Sequence, residues 1–531
     1  MRAHLMFGDH DFKAAHEPRP NDADLSSDLD LMTLWEAMAA GDQTIFESVQ
    51  TATLEGLTDC DQILYRQAIL SDCLSNREVV RELYELAVKA VTDEHEVMRS
   101  IFSNSGEPRL RRAVRVLEIY ADTLKRLRAL ADQAGPDFHS PGFTAFFTTL
   151  RTELDDDYLR EVDEHLRVLH LRDGVFATAR LGRLGQGIEY VLRATPARHR
   201  LLRFIAPALP SPSFSWTVPA RDYGGGQQLE ALRNRVLTPV ADAVGEATDH
   251  ITAFFTALRI ELGFYVGCLN LHEQLTASGA PLIMPEPHPV GTAIRHGQGL
   301  YDPCLALRIR QRPQGNDLNA DARGVIMITG ANQGGKSTFL RSLGITQLMM
   351  QAGMFAPAEQ YAAALNGQVL THYKREEDAS MASGKFDEEL ERMSELTHSI
   401  TNADLLLFNE SFAATNEREG SEIAGEIIRA LRDRGNTVVF VTHLYDLAAA
   451  FATNQTDTTL FLRADRAEDG SRPFQLTEGE PLPTSYGIDL YLKTFNAGPP
   501  TPDPEAPEAQ NSTAGTATSV LLKHHRRSPD R

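Results

Sequence analysis

The chain has 531 residues, of which 42% are hydrophobic and 24% charged, with a formal charge of −21 at pH 7. Its length allows about two to four domains, and its composition excludes a fibrous or wholly disordered chain. So acidic a chain repels nucleic acid and membrane surfaces overall, and any DNA contact has to come from a local basic patch. Cys60, Cys73, Cys268 and Cys304 form no Cys-x-x-Cys pair, which points to reduced thiols rather than a zinc site or a disulfide framework. The first twenty or so residues mix charges without an apolar centre, unlike a signal peptide. No unbroken apolar run reaches the roughly 18 residues of a membrane span. The expectation is a cytoplasmic protein with no membrane contact.

Residues 1–29 are polar and rich in Asp and Pro, and are expected to be disordered. Residues 30–280 are expected to be mainly helical. There Ile63, Leu64, Ala68, Ile69 and Leu70, then Val79, Val80, Leu83 and Leu86, recur at the spacing of an apolar helix face. A small β insert, interrupting the helices, is expected at 171–218. It comprises short strands at 175–179 and 188–192, punctuated by Gly182, Gly185 and Gly187, and a further strand at 214–218 before Pro219. Helical periodicity resumes from Gln227 to about Leu275. Residues 281–300, with Pro281, Pro285, Pro287 and Pro289, read as a Pro-rich linker. In 301–496 the apolar runs 325–329, 405–408 and 437–441 do not alternate, as expected of buried parallel strands. Residues 497–531 read as a disordered tail with a basic cluster at 523–527.

Three motifs carry chemistry. Gly330-Ala331-Asn332-Gln333-Gly334-Gly335-Lys336-Ser337 fits GxxxxGK[ST], follows a predicted strand and opens a predicted helix at Thr338. The glycines allow the backbone to wrap phosphates, Lys336 brings a positive charge to them, and the Ser337 hydroxyl can ligate Mg²⁺. The second motif is the apolar run 405–408 ending in Asn409 and Glu410. In such a Walker-B arrangement the first polar residue helps to hold Mg²⁺ and the second orients the attacking water. Asn409 offers only a neutral oxygen, so hydrolysis is expected to be slow. In the third motif, Thr442-His443 ends the next apolar run and places His443 to sense a γ-phosphate.

These elements resemble the MutS family of DNA-repair ATPases, a branch of the ABC-type ATPases. Residues 329–338, TGANQGGKST, match the family's TGPNMGGKST except at Ala331 and Gln333. The match continues at Phe339-Leu340-Arg341, residues 351–358, Asn316-Asp317, Thr442-His443 with Asp446-Leu447, and the SYGI of residues 485–488. The fold class so implied is an α/β P-loop (ABC-type) ATPase domain preceded by a mainly α-helical core and lever domain with a small β insert. The chain departs from the family pattern in showing neither a mismatch-recognition domain with its Phe-x-Glu wedge nor a connector domain. The Pro-rich tail stands where the family has a C-terminal dimerisation segment. The ABC signature is altered, its nearest equivalent being Ser383-Gly384-Lys385-Phe386.

The resemblance implies ATP and Mg²⁺ as ligands, with Gly330, Asn332, Gly334, Gly335, Lys336, Ser337, Thr338 and Ser383 around the nucleotide. It implies Ser337 and Asn409 at the metal, and Glu410, Lys336 and His443 in catalysis. It also implies a homodimer in which Ser383 of one subunit faces the phosphates held by Lys336 of the other, with residues 411–419 at the interface. DNA is the expected partner, with other repair proteins possible. Residues 166–203 carry eight arginines against Asp173 and Glu189, a net of +6, and are the expected DNA contact. Two rival readings are open. One is an ATP-gated protein clamp or adaptor with no direct DNA binding, which the acidic total favours; the weaker is an ABC-type transporter subunit.

Overall fold

The computed structural model describes residues 1–99, 106–172, 174–183, 187–193, 217–219, 221–375, 384–454, 457–467 and 471–482. The chain divides into two units, 1–485 and 486–531, and the second lies outside the described residues. So do Ser383, the 485–488 motif, the basic cluster at 523–527 and most of the strand expected at 214–218.

The helical part runs α1 (Asp22–Asp28), α2 (Leu31–Ala39), α3 (Gln43–Glu55), α4 (Cys60–Ser75), α5 (Arg77–Arg99), α6 (Gly106–Ala134), α7 (Pro141–Glu153) and α8 (Asp156–Leu169). A hairpin follows, β1 (Ala177–Leu181) and β2 (Gly187–Leu192), and then the 55-residue α9 (Tyr223–Ala277). Side-chain caps start several helices: Asp42 accepts from Thr44 and Ile45 at α3, and Asp155 accepts from Tyr158 at α8. At 1.5 Å per residue α9 is ~80 Å long. Its second half is the core of the bundle, with Phe255, Leu258, Leu262, Phe264 and Tyr265 buried against α2, α3, α5 and α6. Gly267 permits the close approach of α3, since a Cβ there would lie 2.7 Å from Val49 Cγ1. This burial explains why α9 has a stretch apolar enough for a membrane span. The first half of α9 forms an arm with α6 and α8. That arm has its own small core of Leu110, Val114, Leu166, Val236 and Leu237, and the β1–β2 hairpin stands beside it.

Two expectations are overturned here. Residues 1–29 are ordered: Leu5, Met6 and Phe12 are buried, and α1 packs on the strand that contains Thr371, with whose backbone Asn21 exchanges hydrogen bonds. Residues 281–300 are not a linker, since β3 (Glu286–His288) and β4 (Arg295–Leu300) lie within it. They join β5 (Asn316–Asn319) and β7 (Gln360–Ala364) in a sheet of order β3-β7-β4-β5. Polar residues alternate with prolines and glycines in these segments, which conceals half-buried strands from a reading of local composition.

The remaining elements are α10 (Pro303–Ile309), β6 (Val325–Gly330), α11 (Lys336–Gln351), β8 (Val369–Tyr373), α12 (Lys385–Ser399), β9 (Leu405–Asn409), α13 (Glu417–Asp433), β10 (Thr437–Val441), α14 (Tyr445–Asn454), β11 (Thr459–Ala464) and β12 (Leu476–Glu478). They build a six-stranded sheet of order β12-β11-β6-β10-β9-β8, parallel except for β12. The sheet is buried on both faces, one against the bundle core and one against α12, α13 and α14, so its strands lack alternation.

The N-terminal segment is held by a single buried carboxylate. Glu261 of α9 accepts backbone N–H bonds from Leu5 (2.5 Å), Met6 (3.3 Å) and Phe12 (2.7 Å). Burial pushes Glu261 up to about 7 from an ordinary 4.5, with Asp11 adding to the rise and the three N–H donors opposing it. Arg66, Tyr65 and Tyr265 surround the same segment. A folded pKa above the unfolded value means that this group's contribution to stability is complete below about 4.5 and is lost as pH rises through about 7. Glu261→Gln is therefore expected to flatten the fall of melting temperature between roughly pH 5 and pH 8. Parallel slopes in the two chains would discard this account.

Candidate functional site

Strands β6, β10, β9 and β8 all run the same way, in registers that bring Ile328, Val441, Asn409 and Tyr373 level. The residues just beyond them therefore emerge at one edge of the sheet. Such an edge is where open α/β sheets bind ligands.

The glycine loop lies between β6 and α11. Gly330 has φ +103°, and a Cβ there would lie 2.8 Å from the backbone N and O of Ala464 in β11. Gly334 is as tight, its Cβ falling 2.7 Å from Ala464 Cβ, and Gly335, at φ +90°, caps α11. The loop is a cradle that side chains would fill, and it ends at a helix N-terminus, which suits an anion. Lys336 is 5% exposed and its Nζ donates to the carbonyls of Gly330 and Ala331, both at 3.0 Å. Burial pulls its pKa down to about 8, opposed by Glu410 and aided by Arg472. Ser337 Oγ donates to Asn409 Oδ1 at 2.8 Å, so the two predicted metal-side groups meet. Among the described residues no group of three or more His, Cys, Asp and Glu is placed to hold a metal ion. The residues that would hold a divalent cation here are Ser337 and Asn409, both with neutral oxygens.

Glu410 leaves β9 with φ +55°, a left-handed backbone costly for a side-chain-bearing residue, and its N–H donates to Val441 O at 2.9 Å. That turn brings its carboxylate to 3.1 Å from His443 Nε2. The hydrogen bond to His443 holds Glu410 below the usual carboxylate range against its burial, with Lys374 and Lys336 adding to the effect. The following loop is braced from α12 and β8. Phe412 N donates to Glu389 Oε1 at 2.6 Å, and Ser411 Oγ donates to the carbonyl of His372 at 2.6 Å.

The structure thus brings Lys336, Ser337, Asn409, Glu410 and His443 together, with Asn332 in the loop and Thr338 in the first turn of α11. Ser383 lies outside the described residues. Two cations at this edge were not foreseen. Arg472, between β11 and β12, donates from Nε to the carbonyl of Asn332 at 3.2 Å. Lys374 follows β8 as Glu410 follows β9; with Thr371 and His372 inside it, β8 carries no apolar run to announce that position. Asn316 has a structural role, accepting from Leu476 N at 2.7 Å and donating to Phe474 O at 3.2 Å.

Of the basic segment, Arg167 near the end of α8, Arg172 before the hairpin, Arg180 in β1, Arg183 between the strands and Arg193 after β2 are exposed. Arg180 pairs with Glu189 at 2.9 Å, so one of these charges is neutralised within the hairpin. Arg198, Arg200 and Arg203 lie outside the described residues. The acidic helix α8 engages other partners, Asp163 with Lys125 and Asp157 with Arg160.

Residues 58–278 match the model of the MutS2 N-terminal domain, and residues 326–497 match MutS domain V. The chain is 34% identical over 172 residues to DNA mismatch repair protein MutS of Geobacillus thermodenitrificans, covering 32% of this chain and 19% of that protein. It is 30% identical over 210 residues to DNA mismatch repair protein MutS of Thermus thermophilus, covering 37% and 25%. To MutS protein homolog 4 of Mus musculus it is 25% identical over 204 residues, covering 37% and 21%. The chain thus spans a quarter or less of the length of these relatives. With its two matched regions carrying a MutS2-type helical domain and a MutS domain V, the chain belongs to the MutS family.

Proposed function

We propose that this chain is an ATPase of the MutS type that binds DNA in repair or recombination without wedge residues for mismatches. The observation that carries the reading is the meeting of Lys336, the Ser337–Asn409 pair and the Glu410–His443 pair at one sheet edge beside a glycine cradle. Lys336 exchanges its two carbonyl partners for phosphate oxygens, and the N–H groups opening α11 bind the same phosphates. A divalent cation, when bound, supplies charge neutralisation between phosphates. Ser337 and Asn409 would hold it, and the absence of a carboxylate from that pair predicts slow hydrolysis. Glu410 orients the attacking water and accepts its proton, and His443 fixes the carboxylate. Two ATPase domains closing on ATP would then move the arm of α6, α8 and α9.

DNA would meet the β1–β2 hairpin and the adjoining end of α8 through phosphate contacts, so binding should be weakly sequence-specific and fall steeply with salt. Titrations of duplex, mismatched, branched and single-stranded DNA, with and without ATP, test the reading. Replacing Arg167, Arg172 and Arg183 together by Glu is expected to cut DNA affinity by at least about tenfold and to flatten its salt slope, with ATP binding intact. Equal DNA affinity in parent and variant would favour the second reading, an ATP-gated protein clamp, which the charge of −21 and the Arg180–Glu189 pair support.

A further inference from the structure

Neutral Asn409 has a charged neighbour. In the parallel β8–β9 register Tyr373 stands beside Asn409, and the N–H of the next residue, Lys374, donates to the Asn409 carbonyl at 2.9 Å. Lys374 therefore leaves the sheet beside Glu410, on the edge that carries Lys336. It is exposed, and among the described residues it makes no ion pair. Its charge nevertheless bears on Glu410, as does that of Lys336. A carboxylate in place of Asn409 would attract a divalent cation and pair with Lys374. With an amide there, the edge offers two neutral oxygens and a spare ammonium, a combination suited to phosphate oxygens more than to a hard cation.

We propose that Lys374 is a nucleotide-positioning residue whose ammonium contacts the terminal phosphate beside Asn409, lowering the dependence of nucleotide binding on a divalent cation. The inference rests on the glycine loop being the ATP site. A flexible lysine stem reaches the next strand end and presents a compact charge, which one terminal phosphate oxygen satisfies. ADP, lacking that phosphate, gains little from it.

The test is calorimetric titration of the full chain with ATP and with ADP, each in excess Mg²⁺ and in EDTA. The parent is expected to retain ATP binding in EDTA within about tenfold of its Mg²⁺ value. Lys374→Met is expected to lose at least about tenfold of metal-free ATP affinity, less in Mg²⁺, and nothing for ADP, whereas Lys374→Arg restores most of the loss. Because Lys374 is exposed, both variants should unfold as the parent does. Equal metal-free ATP affinity in parent and Lys374→Met, an equal loss for ADP, or a parent that binds ATP only with Mg²⁺ would overturn the proposal while leaving the ATP site in place. Unchanged ATP affinity in Lys336→Ala would instead remove the site on which it rests.

Discussion

Lys336→Ala is expected to lower ATP affinity by at least about 100-fold, or ~2.7 kcal/mol. The residue is nearly buried and already bridges two loop carbonyls, so its ammonium is held where phosphate oxygens would lie. Alanine removes both the charge and the link that shapes the loop. The parent should also show a pH signature that the variant lacks. With the free lysine pulled down to about 8, ATP binding must restore the proton above that pH. Affinity should then fall by up to about tenfold per pH unit, with proton uptake measurable by calorimetry in buffers of different ionisation enthalpy. Affinity unchanged by the substitution would remove the P-loop assignment.

Glu410→Gln is expected to bind ATP as the parent does and to hydrolyse it about 100- to 10,000-fold more slowly. The amide keeps the side-chain shape and the left-handed turn at φ +55° but cannot accept a proton. It also alters the hydrogen bond with His443. Since that bond holds Glu410 below the usual carboxylate range, the parent should stay active at lower pH than an unassisted carboxylate would allow, and His443→Ala should narrow that range. With turnover blocked, any ATP-dependent dimer should accumulate. Sedimentation of Glu410→Gln with and without ATP measures this, and a monomer in both, or an equally tight dimer in both, would count against ATP-gated association.

What the sequence by itself determined is local and contiguous. The glycine loop is legible because the loop needs Gly330 and Gly335 at positive φ and a small residue at Gly334, and few other residues satisfy those demands. The strands 325–329, 405–408 and 437–441 are legible because a sheet covered on both faces leaves an apolar run, and each chemical residue sits at the end of one. The hairpin showed in the glycines that punctuate its short strands. Only the tertiary structure decided the rest. Residues 1–29 look polar, yet they are ordered by contacts that their own composition does not contain: a carboxylate 256 positions along the chain from Leu5 and an arginine 60 from Met6. The strands in 281–300 take their partners from β5 and β7, and a short Pro- and Gly-containing segment carries no period of its own to announce them. Arg472 and Lys374 reach the site because β11 and β8 flank the strands that bear the motifs, and strand order is a property of the folded sheet. Local sequence sets which backbone conformations and which buried faces are cheap; which distant charges meet is set by the packing that closes over them.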